Sequence, residues 1–169
     1  KDHATLLRAF KVYLDYKIQG SPQAHLLLVG KDMDLHNCEL NNLISELGIS
    51  DYVSLTGESK SPELMPCLDI FVLSSIGEGL PNVLGEAMSC GIPCISTNVG
   101  DAAKLLNGLG IVVEPSNPKA LAEAMKDFTQ TSKEKMDIIS VASRKHIIDN
   151  YSPEGVVRQY TSLYNQLLE

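Results

Sequence analysis

The sequence is poor in positive charge. Its 14 Lys and Arg stand against 21 Asp and Glu, a net charge of −7 over 169 residues. A surface that grips nucleic acid or an anionic membrane needs a basic field, so both partner classes are set aside, while a local cationic site for one phosphate group stays compatible. The sequence also lacks any unbroken run of about 18 apolar residues, the length of a membrane-crossing helix. Cysteine is scarce. Cys38, Cys67, Cys90 and Cys94 form no disulfide framework, and thiols of that pattern in a domain this size stay reduced, which points to a cytoplasmic setting. Cys90 and Cys94 have the spacing of half a zinc site, yet no nearby His or Cys pair completes it. Repeats, linkers and low-complexity tracts are missing too, so residues 1–169 read as one domain. The first residue is Lys1 rather than Met, and the expectation is a processed protein or a piece of a longer one.

Hydrophobic residues make up 44% of the chain, enough for a core that takes roughly 70% of the unfolded surface out of water. Their spacing alternates between two periods. Short apolar runs over 25–29, 52–55, 69–73, 92–96 and 110–113 read as buried strands. Between them, helices are expected over 5–17, 38–47, from Ser61 and Pro62, 81–91, 102–106, 118–129, 133–150 and 153–168. Gly20, Ser21 and Pro22 break the first helix, Asn117 caps the helix that starts at Pro118, and Ser152 caps the last. Near-continuous apolar strands alternating with helices predict an α/β fold, a Rossmann-like, doubly wound parallel sheet covered on both faces. A unit of this kind begins with a strand, and here a helix comes first, so the first strand is expected to be missing. Ligands of such sheets sit beyond the carboxyl ends of the strands. The loops that open there hold Gly30, Gly57 and Glu58, residues 77–82 and residues 98–101.

One stretch organises the rest. Residues 74–91, SSIGEGLPNVLGEAMSCG, pass from a strand through a glycine-rich turn into a helix near Pro81. A helix N-terminus presents unpaired N–H groups and about half a positive charge, a site for an anion. Glu78 and Glu86 bracket it. A ligand that carries both phosphate and hydroxyls would use all of these groups.

At this stretch the residues resemble a known family. EGLPNVLGE over 78–86, with Ala87, Met88, Gly91 and Pro93 behind it, resembles the donor-site signature of retaining GT-B glycosyltransferases of family 4, two glutamates separated by seven residues. Leu26-Leu27-Leu28-Val29-Gly30, Val53-x-Leu55-x-Gly57, Ser96-x-x-Val99-Gly100 and Gly110-x-Val112-Val113-x-Pro115 look like further pieces of that family, and Lys1-Asp2-His3 like its lysine after the first strand of the C-terminal domain. The resemblance covers nearly the whole chain. It implies a nucleotide-sugar-binding C-terminal domain, one half of a GT-B enzyme whose N-terminal acceptor domain is absent.

By the family pattern, Glu86 binds ribose hydroxyls, a task suited to a carboxylate that accepts two hydrogen bonds. Glu78 faces the donor sugar. Backbone groups of Gly79, Leu80, Asn82 and Val83 face the diphosphate or sugar, with Pro81 between them offering no N–H. Leu84 or Gly57 lies near the base. Lys1 neutralises the leaving diphosphate, with an arginine partner expected a few residues before it. As a terminal residue, Lys1 is expected to fray in this chain. The reaction implied is transfer of a sugar from a UDP- or GDP-linked donor to a hydroxyl of a glycan or glycolipid, without a metal or other cofactor, in the cytoplasm and at the inner membrane face where the acceptor is a lipid. Gly85 departs from the pattern, which has a bulky apolar residue there.

Other readings are weaker. A glycosidase pair would flank the scissile bond from opposite sides, and these glutamates share one loop–helix unit. Asp32 and Asp34 match the D-x-D metal motif of another glycosyltransferase fold, but a loop pair lacks the further oxygens a hard cation wants. A sugar-nucleotide epimerase on the same scaffold needs an acid or His for proton abstraction, and only Glu78 offers itself. A flavodoxin-like signalling module needs an Asp at the end of its central strand, where this chain has Leu73-Ser74-Ser75.

Overall fold

The computed structural model describes residues 1–16, 23–59 and 61–168, the side chains of 61 and 62 aside. The expected break at Gly20, Ser21 and Pro22, and the side chains of the Ser61–Pro62 start, lie outside the described residues. Asp2 starts the first helix, α1 (His3–Asp15), by accepting the Thr5 N–H at 3.0 Å. Strand β1 (Leu26–Leu28), helix α2 (Cys38–Glu46), strand β2 (Val53–Leu55) and the short α3 (Ser61–Leu64) follow. Strand β3 (Phe71–Leu73) then leads to α4 (Asn82–Ser89). Next come β4 (Cys94–Thr97), α5 (Ala102–Leu106), β5 (Ile111–Val113), α6 (Pro118–Thr129), α7 (Lys133–Tyr151) and α8 (Pro153–Leu168). The expected caps are made: Asn117 accepts the Ala120 N–H at 3.0 Å and Ser152 Oγ the Gly155 N–H at 3.1 Å.

All strand pairs are parallel. β1 pairs with β2, Leu26 opposite Val53 and Leu28 opposite Leu55. β3 pairs with β4 and β4 with β5, with Phe71 opposite Cys94 and Ile95 opposite Ile111. No ladder joins β1 to β3 among the described residues, so the expected sheet is present as two hydrogen-bonded sets. One core nevertheless spans both. Leu7, Phe10, Leu121, Ala122 and Phe128 of α1 and α6 pack over Leu28, Val72 and Ile95. On the opposite face, Leu84, Ala87 and Met88 of α4 and Leu105 and Leu106 of α5 cover Cys94. Successive side chains of a strand point to opposite faces. Cys94 and Ile95 therefore enter different helix layers, as a doubly wound fold requires. Among the described residues no helix is long and apolar enough to cross a membrane.

Helix α4 begins one residue later than expected. Pro81 is its N-cap, with extended φ −77° and ψ 90°, and its carbonyl accepts the Leu84 N–H at 3.0 Å. The helix closes in a Schellman motif: the Gly91 N–H reaches Met88 O at 2.9 Å and the Ile92 N–H reaches Ala87 O at 3.0 Å. Gly91 carries the positive φ of 75° that this motif needs.

Gly85 has no such duty. A Cβ there would meet Leu105 Cδ2 at 3.9 Å, an ordinary contact. Gly85→Ala should therefore stabilise the fold by about 0.4–1 kcal/mol, a rise in melting midpoint of roughly 1–4 °C. Gly91→Ala should lower it. Thermal denaturation of the two variants beside the parent measures both signs.

Candidate functional site at the carboxyl edge of the sheet

The start of the chain and the end of β3 meet at the carboxyl edge. Ser74 and Ser75 follow β3 and are buried at 5% and 0% exposure. Ser74 Oγ donates to Asp2 O at 3.0 Å, and Ser116 Oγ, beyond β5, donates to Asp2 Oδ2 at 3.4 Å. With Asp2 so held, Lys1 is placed beside the glutamate loop. Its Nζ pairs with Glu78 Oε1, and Ser75 Oγ donates to the same oxygen at 2.6 Å.

The loop between β4 and α5 presses on the glutamate from the other side. Thr97 Oγ1 donates to Ser75 O at 2.7 Å, and the Asp101 N–H donates to Gly79 O at 2.9 Å. Gly100 makes the approach sterically feasible. Its φ is +50°, and a Cβ on it would overlap the carbonyl oxygens of Glu78 and Gly79. Three loops and the N-terminal residues thus fix residues 75–79.

The Lys1 ammonium and then the Ser75 hydroxyl hold the Glu78 carboxyl below its ordinary 4.5, against a smaller opposing effect of burial. Burial, followed by the chain's amino terminus and Lys1, lowers the pKa of His3 below 6.5 and favours the neutral ring. Pro81, the N-cap of α4, offers no side-chain cap to the first N–H groups of that helix. Gly79 and Leu80 are exposed beside it, as are Asn82 and Glu86.

Glu86 lies one turn into α4, on the face opposite Leu84, Ala87 and Met88. With Asn82 and Gly85 it lines a cavity of ≈ 360 Å³ to which Leu105, Ile147 and Tyr151 also contribute. The bulky side chain missing at Gly85 thus leaves space here. Leu84, expected near a base, is corrected: it is fully buried between α4 and α5 and its N–H is donated to Pro81 O. Gly57 belongs to the other strand set, where its N–H donates to Met33 O at 2.7 Å and its carbonyl accepts from the Gly30 N–H at 2.8 Å.

The weaker metal motifs have local explanations. Asp34 Oδ1 accepts the His36 N–H at 2.7 Å, and Met33 between the two aspartates is in the core. Cys90 is exposed while Cys94 is buried, and burial pushes the Cys94 thiol up to about 12. No group of three His, Cys, Asp or Glu able to hold an ion occurs among the described residues.

A family profile described as "Glycosyl transferases group 1" matches residues 1–131. The chain belongs to this family. Among curated relatives, the N-acetyl-alpha-D-glucosaminyl L-malate synthase of Bacillus anthracis is 29% identical over 155 residues, covering 90% of this chain and 40% of its own. A glycosyltransferase structure from Rickettsia africae superposes with a TM-score of 0.85 at 24% identity, over 100% of this chain and 45% of that one. The Anabaena protein Alr3699/HepE, solved in complex with UDP and glucose, superposes with a TM-score of 0.77 at 22% identity, over 95% and 44% of the two chains. The two solved structures share the GT-B fold. The chain spans less than half the length of each of the three.

Ser75, Thr97, Gly100 and Asp101 escaped the sequence reading as contacts of the glutamate loop. A signal for two of them was present. Ser75 and Thr97 are hydroxyl residues at the ends of apolar strands, and a hydroxyl buried there must find a partner.

Two outcomes follow from this geometry. Gly100→Ala should destabilise the fold by about 2–4 kcal/mol, since both the positive φ and the overlap with residues 78 and 79 oppose a side chain. Urea denaturation reads this, and a loss below about 0.5 kcal/mol would mean that the loop simply moves away. Glu78 has a folded pKa below its unfolded one, so its stabilising effect is present above pH 4.5 and lost as pH falls through the folded value. The stability difference between the parent and Glu78→Gln should shrink over that window.

Proposed function

We propose that this chain is the C-terminal, donor-binding half of a retaining two-domain glycosyltransferase. The whole enzyme would move a sugar from a UDP- or GDP-linked donor to a hydroxyl acceptor in glycan or glycolipid synthesis. The observation that carries this reading is the meeting of Lys1 with Glu78 beside the N-terminus of α4, which has no side-chain cap. A cation, a row of helix N–H groups and a carboxylate stand together, and a sugar diphosphate asks for that combination. The group 1 profile and the UDP and glucose held by the Anabaena protein support it.

In this reading the diphosphate lies at the N-terminus of α4, along Gly79, Leu80, Asn82 and Val83, where Lys1 meets the charge of the leaving group. Glu86 takes the ribose and Glu78 the transferred sugar. Gly57 faces the base from the second strand set. No metal is required, because the helix end and Lys1 carry the compensating charge. The acceptor, and contact with a membrane face from the cytoplasm, belong to the absent N-terminal domain.

The interrupted ladder supports the domain assignment. In doubly wound sheets of strand order 3-2-1-4-5-6 the first strand lies between the second and the fourth. With β1 and β3 as those two, the gap falls where a strand preceding Lys1 would sit.

The test is thermal denaturation of this chain with about 10 mM UDP, GDP, ADP or inorganic phosphate, beside Glu86→Ala. A dissociation constant of about 1 mM gives about 1.4 kcal/mol of stabilisation, or a shift of roughly 3–6 °C. A shift with one nucleoside diphosphate that Glu86→Ala removes supports the reading and identifies the base. Equal shifts with phosphate reduce the site to an anion-binding helix end, and no shift at all sinks the reading.

A further inference from the structure

Two groups bond the same oxygen of Glu78, and they differ in how firmly they are themselves held. Lys1 has a flexible side chain that is 43% exposed. An exposed lysine ordered into an ion pair gains little, because water screens the pair and the side chain loses freedom. Ser75 is fully buried. Its Oγ lies 2.6 Å from Glu78 Oε1, the length of a charge-assisted O–H···O⁻ bond.

The backbone of Ser75 is anchored in turn. Its carbonyl accepts from Thr97 Oγ1 at 2.7 Å, and Thr97 is 1% exposed at the end of β4. The register of β4 against β3 places Ser96 opposite Leu73, two residues before Ser75. The sheet therefore sets the place of Ser75, and the Ser75 hydroxyl sets the place of Oε1. Both donors to Glu78 use Oε1, and Oε2 has no hydrogen-bond partner among the described residues.

We propose that Ser75 is the positioning residue for Glu78: it ties Oε1 to the sheet and so leaves Oε2 to accept a hydrogen bond from a hydroxyl of the bound sugar. The role of the sugar rests on the donor-site reading above, while the tie itself does not. No bond is made or broken by Ser75. Its hydroxyl keeps its proton, and the carboxylate stays an acceptor on both oxygens. Thr97 acts one step further back, through the Ser75 carbonyl.

The experiment is a carbon-13 NMR titration of the Glu78 carboxyl in this chain, for the parent, Ser75→Ala, Thr97→Val and Lys1→Ala. The charged groups that face Glu78 are the Lys1 ammonium and the amino terminus, and both keep their charge throughout the acid range. Backbone amide spectra confirm folding at each pH. Ser75→Ala should raise the Glu78 midpoint by about one unit, the scale expected for loss of a hydrogen bond to a charged group. Thr97→Val should raise it by less. An unchanged midpoint in a folded Ser75→Ala protein overturns the proposal, as does a shift confined to Lys1→Ala. Should Ser75→Ala not fold, Thr97→Val decides: a raised midpoint supports the tie and an unchanged one refutes it. A missing nucleotide shift in the parent would sink the donor reading and leave these titrations interpretable, so the two failures are distinct.

Discussion

The burial of β4 is the constraint on which the carboxyl edge depends. All four of its residues are buried, and the two helix layers meet through it, Cys94 with α4 and α5, Ile95 with α1 and α6. A one-residue slip would exchange every side chain between the layers. The strand therefore has one register, and the hydroxyls at its end have one position. Ser96 Oγ donates to Thr97 O at 2.9 Å, and Thr97 Oγ1 donates to Ser75 O. A buried hydroxyl left without a partner would cost about 1–3 kcal/mol. The same requirement that completes the core thus fixes the loop that carries Glu78.

Electrostatics at this edge run against the charge of the chain as a whole. The net charge is −7, yet Lys1 and the uncapped start of α4 gather positive potential in one corner. At His3, burial and the cationic neighbours favour the neutral ring. Relative magnitudes separate the two bonds to Glu78. The exposed ion pair is worth about 0–1 kcal/mol, whereas hydrogen bonds to charged groups reach about 1.5–3 kcal/mol. Lys1 and Ser75 thus meet Glu78 with different freedom, Lys1 through a half-exposed side chain and Ser75 through a buried one. In the proposed reaction, the cation and the glutamate would then act on different parts of one donor.

Much of the architecture was legible because its signals are local. Asn117 and Ser152 cap the helices they were expected to cap, and each of the five apolar runs overlaps a strand. The stretch over 78–86 was legible as a site because its residue types are unusual together. Leu84 shows where a resemblance overran the pattern. Leu84, Ala87 and Met88 have the i, i+3, i+4 spacing of a core face, and the structure buries all three. The pairing of Lys1 with Glu78 was not legible, since 77 residues separate them. The interrupted ladder was equally hidden: apolar runs reveal that strands exist, and say nothing about which edges pair.

The sequence by itself determined the period of each segment, the caps and breaks between them, and the residue chemistry available at the glycine-rich turn. These depend on neighbours within one turn of helix or one strand. Tertiary structure alone decided that Lys1 and Ser75 meet on one oxygen of Glu78, and that Gly85 opens onto a cavity. The physical reason is packing: residues far apart in the chain meet only when β4 is enclosed by both helix layers, and only then do its buried hydroxyls select their partners.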